Sequence, residues 1–156
     1  MAIVLADLLH EKHVDLDLRT RTVETALGKL VRLWQANEQI KEPEKFLEQL
    51  LARERANPST VEHGVAFPHV RTDAVDKIIL AIGRSRAGIP FGPEETRARL
   101  IFLIGVPQRL VSDYLVVVGG MARLLKDEEV RQRLLYAETP AQLLDILRTT
   151  DDEVSV

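Results

Sequence analysis

The chain has 156 residues, 46% of them hydrophobic and 29% charged, which suits one well-buried globular domain. Its net charge of −3 comes from 21 basic and 24 acidic residues mixed along the chain, with no basic block or basic-aromatic stripe, and this argues against binding to nucleic acid. Cysteine is absent, which excludes disulfides, thiolate zinc sites and a cysteine nucleophile; the opening "MAIVLADLL" is interrupted by Asp7 and lacks a cationic lead, and no run approaches the ~20 residues of a membrane span, so a cytoplasmic protein is expected.

"HVDLDL" alternates in the manner of a strand from His13 to Leu18. Val23, Ala26, Leu27, Leu30, Val31 and Trp34 then recur at helical spacing behind Thr22, a suitable N-cap, with Glu24 well placed in the first turn. A second helix begins at Pro43, buries Phe46, Leu47, Leu50 and Leu51, and stops at Asn57-Pro58. A strand leads to His69. "KIILAIG" from Lys77 and "LIFLIGV" from Leu100 are short, branched and almost continuously apolar, the pattern of central strands covered on both faces. Between them "AGIPFGPEE" reads as a turn with a short edge strand. Ser112 to Leu125 keeps a helical period, Asp127 caps a short helix containing Val130 and Leu134, and Thr139-Pro140 opens a last helix burying Leu143, Leu144 and Leu147.

This order predicts an α/β protein with a single mixed β-sheet flanked by helices. The domain is expected to span residues 1–150, followed by a frayed tail at 151–156.

"STVEHGVAFPHV", from Ser59 to Val70, holds two histidines on either side of a Gly and a Pro. A histidine near neutral pH is largely uncharged, so one ring nitrogen can attack an electrophile while a hydrogen bond to the other fixes tautomer and aim. Pro68 has no amide hydrogen to give a ladder, which places His69 at a strand's exit, where site residues often sit. A plain surface histidine is the alternative.

"RERANPSTVEHGVAFPH", from Arg53 to His69, resembles the active-site signature of the mannitol/fructose-type enzyme IIA domains of the bacterial phosphoenolpyruvate-dependent phosphotransferase system. Arg53-Glu54 and Ala66-Phe67-Pro68-His69 fall in register with no gap, and "GIPFG", "LIFLIGVP" and "LLKDEEVRQRL" extend the likeness over most of the chain. The resemblance implies a IIA-like sandwich, in which His69 takes a phosphoryl group on Nε2 from an HPr-type phosphocarrier protein and passes it to a IIB domain. A IIA-like domain without IIB or IIC segments also resembles the nitrogen-regulatory branch, whose members act on regulatory target proteins.

Such a transfer needs a neutral imidazole, in-line geometry and donors for the phosphoryl oxygens, but no metal and no cofactor. Arg53 is a forked cation suited to phosphate, or a helix-end arginine paired with a surface acid. Ser59 offers a hydroxyl to the phosphate, or caps a turn. Amides at the helix start near Ser112 are further donors.

The sequence also departs from the family pattern. Pro58-Ser59 replaces Ser-Thr, Glu62 and Val70 replace glycines, and Tyr114 stands where mannitol-type members place a second histidine. Tyr114 can donate a hydrogen bond but carries no positive charge, or it is simply a half-buried helix residue. His63 either gates the site, binds phosphate when protonated, or sits in a solvated loop. These changes leave a noncatalytic regulatory docking module as the main rival. A metal-dependent hydrolase using Glu62, His63, His69 and the "HEKH" of His10 to His13 is the lesser one, because that spacing misses H-E-x-x-H by one residue.

Overall fold

The protein is described by a computed structural model covering residues 5–37 and 39–154. In chain order its elements are β1 (Val14–Asp15), α1 (Val23–Ala36), α2 (Pro43–Ala56), β2 (Val61–Glu62), β3 (Val65–Ala66) and β4 (His69–Thr72). Then come β5 (Ile79–Phe91), β6 (Thr96–Pro107), α3 (Val111–Leu124), α4 (Glu128–Tyr136) and α5 (Pro140–Val154), with short 3-10 turns at Leu5–Leu8, Glu11–His13 and Gln108–Leu110. The strands form one mixed six-stranded sheet in the order β1-β5-β6-β3-β2, with β4 also pairing β6.

Strand periodicity divides the two apolar runs between two cores. Leu80, Ile82, Leu100, Phe102, Ile104 and Val106 meet α3, α4 and α5 on one face. Ile79, Ala81, Ile101 and Leu103 meet α1 and α2 on the other. Both faces are covered, as near-continuous hydrophobicity predicts. Thr22 caps α1 by accepting the Thr25 amide at 3.2 Å. Trp34 and Phe46 lock α1 to α2, fully buried and edge to face at 5.6 Å, so Phe46→Ala costs about 3–5 kcal/mol. Among the described residues no helix is long and apolar enough to cross a membrane.

Four expectations need correction. The first strand is only Val14–Asp15, because His13 belongs to a 3-10 turn and the Asp15 carboxylate accepts the Asp17 amide at 2.9 Å, turning the chain out of the sheet. "AGIPFGPEE" is mostly strand: β5 continues to Phe91 past a bulge between Arg84 and Ile89, and the turn is confined to the residues between Phe91 and Thr96. Pro90 faces Arg97 across the ladder; lacking a donor, it can occupy only a pair that exchanges no amide bonds. The residues expected to fray begin as helix, since α5 reaches Val154 and buried Thr150 donates its hydroxyl to the Ile146 carbonyl at 2.7 Å; Ser155 and Val156 lie outside the described residues.

The fourth correction bears on the site. His69 does not close a strand but opens β4. β3 and β4 are one strand line, parallel to β6 with the same offset (Ala66↔Ile101, His69↔Ile104), interrupted at Phe67-Pro68 where proline has no amide to give. The Pro68 carbonyl still accepts the Ile104 amide at 3.0 Å, so the line resumes in register.

Candidate phosphoryl-transfer site

The interruption releases the Phe67 carbonyl from the ladder, and the imidazole of His69 uses it. Nδ1 lies 3.2 Å from the Phe67 oxygen. A carbonyl only accepts, so Nδ1 carries the proton and Nε2 carries the lone pair. The family resemblance implied Nε2 as the attacking atom, and this contact leaves that atom unprotonated.

Two side chains converge on Nε2 from opposite sides of the sheet. Arg53, in the last turn of α2, donates from one guanidinium nitrogen at 3.3 Å. Tyr114, in the first turn of α3, donates its hydroxyl at 2.8 Å, and its ring lies 4.7 Å from the imidazole. Burial pushes the His69 pKa below the usual histidine range; the bond to the Phe67 carbonyl opposes this, Arg53 and Arg71 lower it further, and Glu54 raises it. The ring is therefore neutral at pH 7 and nucleophilic. Burial also raises the Tyr114 pKa, partly offset by the charges of Arg53 and Arg71, so the phenol keeps its proton and remains a donor.

Ser59 is turned toward Glu54. Its amide and hydroxyl donate to the two carboxylate oxygens of Glu54 at 2.7 and 2.8 Å. Glu54 is only 6% exposed, and its carboxylate stands 3.7 Å from Arg53, whose same nitrogen also donates to the Asn57 carbonyl at 3.2 Å. The turn serine holds a buried acid, and the acid helps hold the arginine. One end of the guanidinium is thereby anchored while the other faces His69.

His63 is not brought in. It occupies the β2–β3 hairpin turn, exposed and with φ 55, beside Gly64 with φ 77. Consecutive positive φ values mark a type I′ turn, which glycine adopts freely and histidine only with strain. Glu62 is exposed on the same hairpin, and Val70 is 7% exposed, packed into the α1–α2 core. Neither side chain is among the partners of the His69 ring. Among the described residues no three His, Cys, Asp or Glu side chains gather as a metal site.

Two contributors escaped the sequence reading. Arg71 follows His69 by one strand period, so it projects from the same face of β4 and adds positive charge near both His69 and Tyr114. Glu54 was visible as half of an Arg-Glu pair, but its burial and its bond to Ser59 join residues that only the fold brings together.

Residues 7–149 match the family described as "Phosphoenolpyruvate-dependent sugar phosphotransferase system, EIIA 2". The chain belongs to this family. The fructose-specific EIIA component of Haloferax volcanii is 33% identical over 135 residues, covering 86% of this chain and 88% of that protein. A nitrogen regulatory protein of Bradyrhizobium diazoefficiens is 29% identical over 101 residues, covering 64% of this chain and 66% of its own. Among solved structures, the complex of Escherichia coli enzyme IIA mannitol with phosphorylated enzyme IIB mannitol contains a chain that superposes with a TM-score of 0.77 at 25% identity, covering 90% of this chain and 97% of that one. The mixed six-stranded sheet with helices on both faces is thus the IIA fold; the order of elements predicted the flanked sheet, and the family resemblance implied the IIA sandwich.

Proposed function

We propose that this IIA domain is a phosphoryl carrier in which Nε2 of His69 takes a phosphoryl group from an HPr-type protein and yields it to a IIB domain or a regulatory target. The observation that carries the reading is the Nε2 lone pair, left free by the Nδ1 bond to the Phe67 carbonyl and faced by two donors. In the transfer the donor's nitrogen–phosphorus bond breaks as the Nε2–phosphorus bond forms, and no proton need leave Nε2. The Tyr114 hydroxyl then moves from the lone pair to a phosphoryl oxygen, and Arg53 takes another. Exposed Leu115 and Val116, next to Tyr114 on α3, offer an apolar surface for the partner, in keeping with the assembly of the E. coli mannitol domain with its IIB. A cytoplasmic location fits these partners.

The reading is tested by incubating the protein with phosphorylated HPr, or its nitrogen-branch counterpart, and measuring acid-labile phosphate. Label is expected on the wild type and absent from His69→Gln. Equal label on His69→Gln refutes the site. No label on the wild type, with competent donors, favours the noncatalytic docking module suggested by the absence of a second histidine.

A further inference from the structure

Two adjoining hollows outside the His69 site share four lining residues. One is a cavity of about 420 Å³ whose lining includes Leu8, Ile78, Leu80 and Leu110 together with Asp7 and Asp113. A second hollow, of about 250 Å³, shares His10, His13, Gln39 and Lys77 with the first and adds Lys12 and Asn37. The pair is therefore polarised. The first chamber alone contributes apolar side chains and the carboxylates of Asp7 and Asp113, and the second has two lysines, two imidazoles, two amides and no carboxylate. Neither Lys12 nor Lys77 is ion-paired among the described residues.

His13 is the second observation. It is 5% exposed and lines both hollows, yet its Nδ1 is buried without a hydrogen-bond partner among the described residues. An unpaired buried nitrogen is costly, and native proteins rarely leave one without a reason. The His10 ring packs edge-on against His13 at 5.3 Å. Burial, with His10 and Lys77 adding to it, lowers the His13 pKa to about 4, so at neutral pH it binds as an uncharged donor and acceptor rather than as a second cation.

We propose that this double hollow is a binding site for a small amphipathic anion, an apolar body carrying one carboxylate or phosphate head. The head lies between Lys77 and Lys12, with His13 within the same wall, and the body covers Leu8, Leu80 and Leu110. The combined shape suits such a ligand, since pockets of a few hundred Å³ with an apolar floor and few polar groups are the usual form of small-molecule sites. Its position also matters for the chemistry next door. Leu110 and Asp113 frame the start of α3, and Asp113 directly precedes Tyr114, so a bound anion touches the turn that presents the hydroxyl to His69. The hollow's own lining, not phosphoryl transfer at His69, carries the binding.

The test is an amide NMR titration of the 156-residue chain with hexanoate, hexyl phosphate and inorganic phosphate, on wild type and Lys77→Glu. Lys77 is exposed, so its substitution leaves the fold intact. Saturable shifts are expected at His10, His13, Leu80 and Leu110 with the hexyl compounds. Inorganic phosphate should bind weakly there, because it cannot use the apolar lining. Lys77→Glu should weaken the hexyl compounds by about tenfold or more. Tighter hexanoate assigns the site to free organic acids, and tighter hexyl phosphate assigns it to phosphorylated ones. Shifts that do not saturate, that centre on His69 instead, or that survive Lys77→Glu unchanged overturn the proposal.

Discussion

The two helical layers deliver different things to the same imidazole, and they are built differently. The layer of α1 and α2 rests on fully buried Trp34, Phe46, Leu27, Leu30 and Leu50, and its contribution, Arg53, is anchored by Glu54 and the Asn57 carbonyl. The layer that begins with α3 is looser at the site. Leu110 gives α3 no side-chain cap, Leu115 and Val116 are 63% and 61% exposed, and Gly119-Gly120 interrupts the helix with poor formers. The fixed layer supplies the charge, and the looser one supplies a neutral hydroxyl. A cation aimed at a phosphoryl group gains from being held in advance. A hydroxyl resting on the nucleophile's lone pair must instead give way when phosphorus arrives.

The largest effect should come from the fixed side. Arg53→Ala removes the nearest cation from the phosphoryl oxygens and is expected to slow labelling of His69 by roughly 10²-fold, while Arg53→Lys recovers only part of this because an ammonium lacks the forked donors. Quenched-flow labelling from phosphorylated HPr measures both. Glu54 separates holding from reacting. Glu54→Ala leaves the Ser59 amide and hydroxyl without their acceptor and should cost about 2 kcal/mol in urea unfolding. Glu54→Gln keeps one acceptor oxygen but loses the charge beside Arg53, so it should slow labelling by about tenfold with about 1 kcal/mol of lost stability. Equal rates for Glu54→Gln and wild type would show that Arg53 needs no anchor.

How much of this was legible depended on range in the chain. Helices α1 to α5 were readable because periodicity and caps are local: Thr22, Pro43, Asp127 and Pro140 mark their starts in the sequence. The strand core was readable because branched apolar runs have few other uses. Strand ends were not, since β5 beyond Gly83 is sustained by pairing with β6 rather than by its own Gly- and Pro-rich residues. In the site, His69 and Arg53 stood out by motif, and Tyr114 by register. For Ser59 the sequence left a phosphate ligand and a turn residue both open, and only the fold shows that a buried carboxylate five residues earlier claims both of its donors. His63 stands in the same motif as His69, but a left-handed turn holds it on the hairpin. The bond from Nδ1 to the Phe67 carbonyl needed the strand interruption, which only the paired β6 reveals.

The looser side is probed by Tyr114→Phe. Loss of one neutral donor should slow labelling by about fivefold, the equivalent of about 1 kcal/mol. Its pH signature is more specific. The hydroxyl donates to the same lone pair that a proton would take, so removing it favours protonation and moves the His69 pKa up from its lowered position. Labelling needs the neutral ring and fails as pH falls through that pKa, so the acid limb of the rate profile should shift to higher pH in Tyr114→Phe. An NMR titration of the His69 ring gives the same shift independently. A limb that stays in place would mean that the phenol touches the ring without bonding to it in solution.

The smallest effect asks whether looseness in α3 belongs to the chemistry or only to the helix. A Cβ at Gly119 or Gly120 would meet only the flexible end of Arg123, at 3.6 and 3.9 Å, and neither glycine has a positive φ. Gly119→Ala and Gly120→Ala should therefore each stabilise the protein by about 0.5–1 kcal/mol through helix propensity, raising the Tm by about 1–4 °C apiece. The labelling rate should stay within about twofold of wild type, because Tyr114 can leave Nε2 by rotating its side chain, a motion far faster than transfer. If the double variant is more stable yet clearly slower, α3 itself must shift when phosphorus arrives, and the contrast between the layers becomes one of backbone motion rather than of side-chain chemistry.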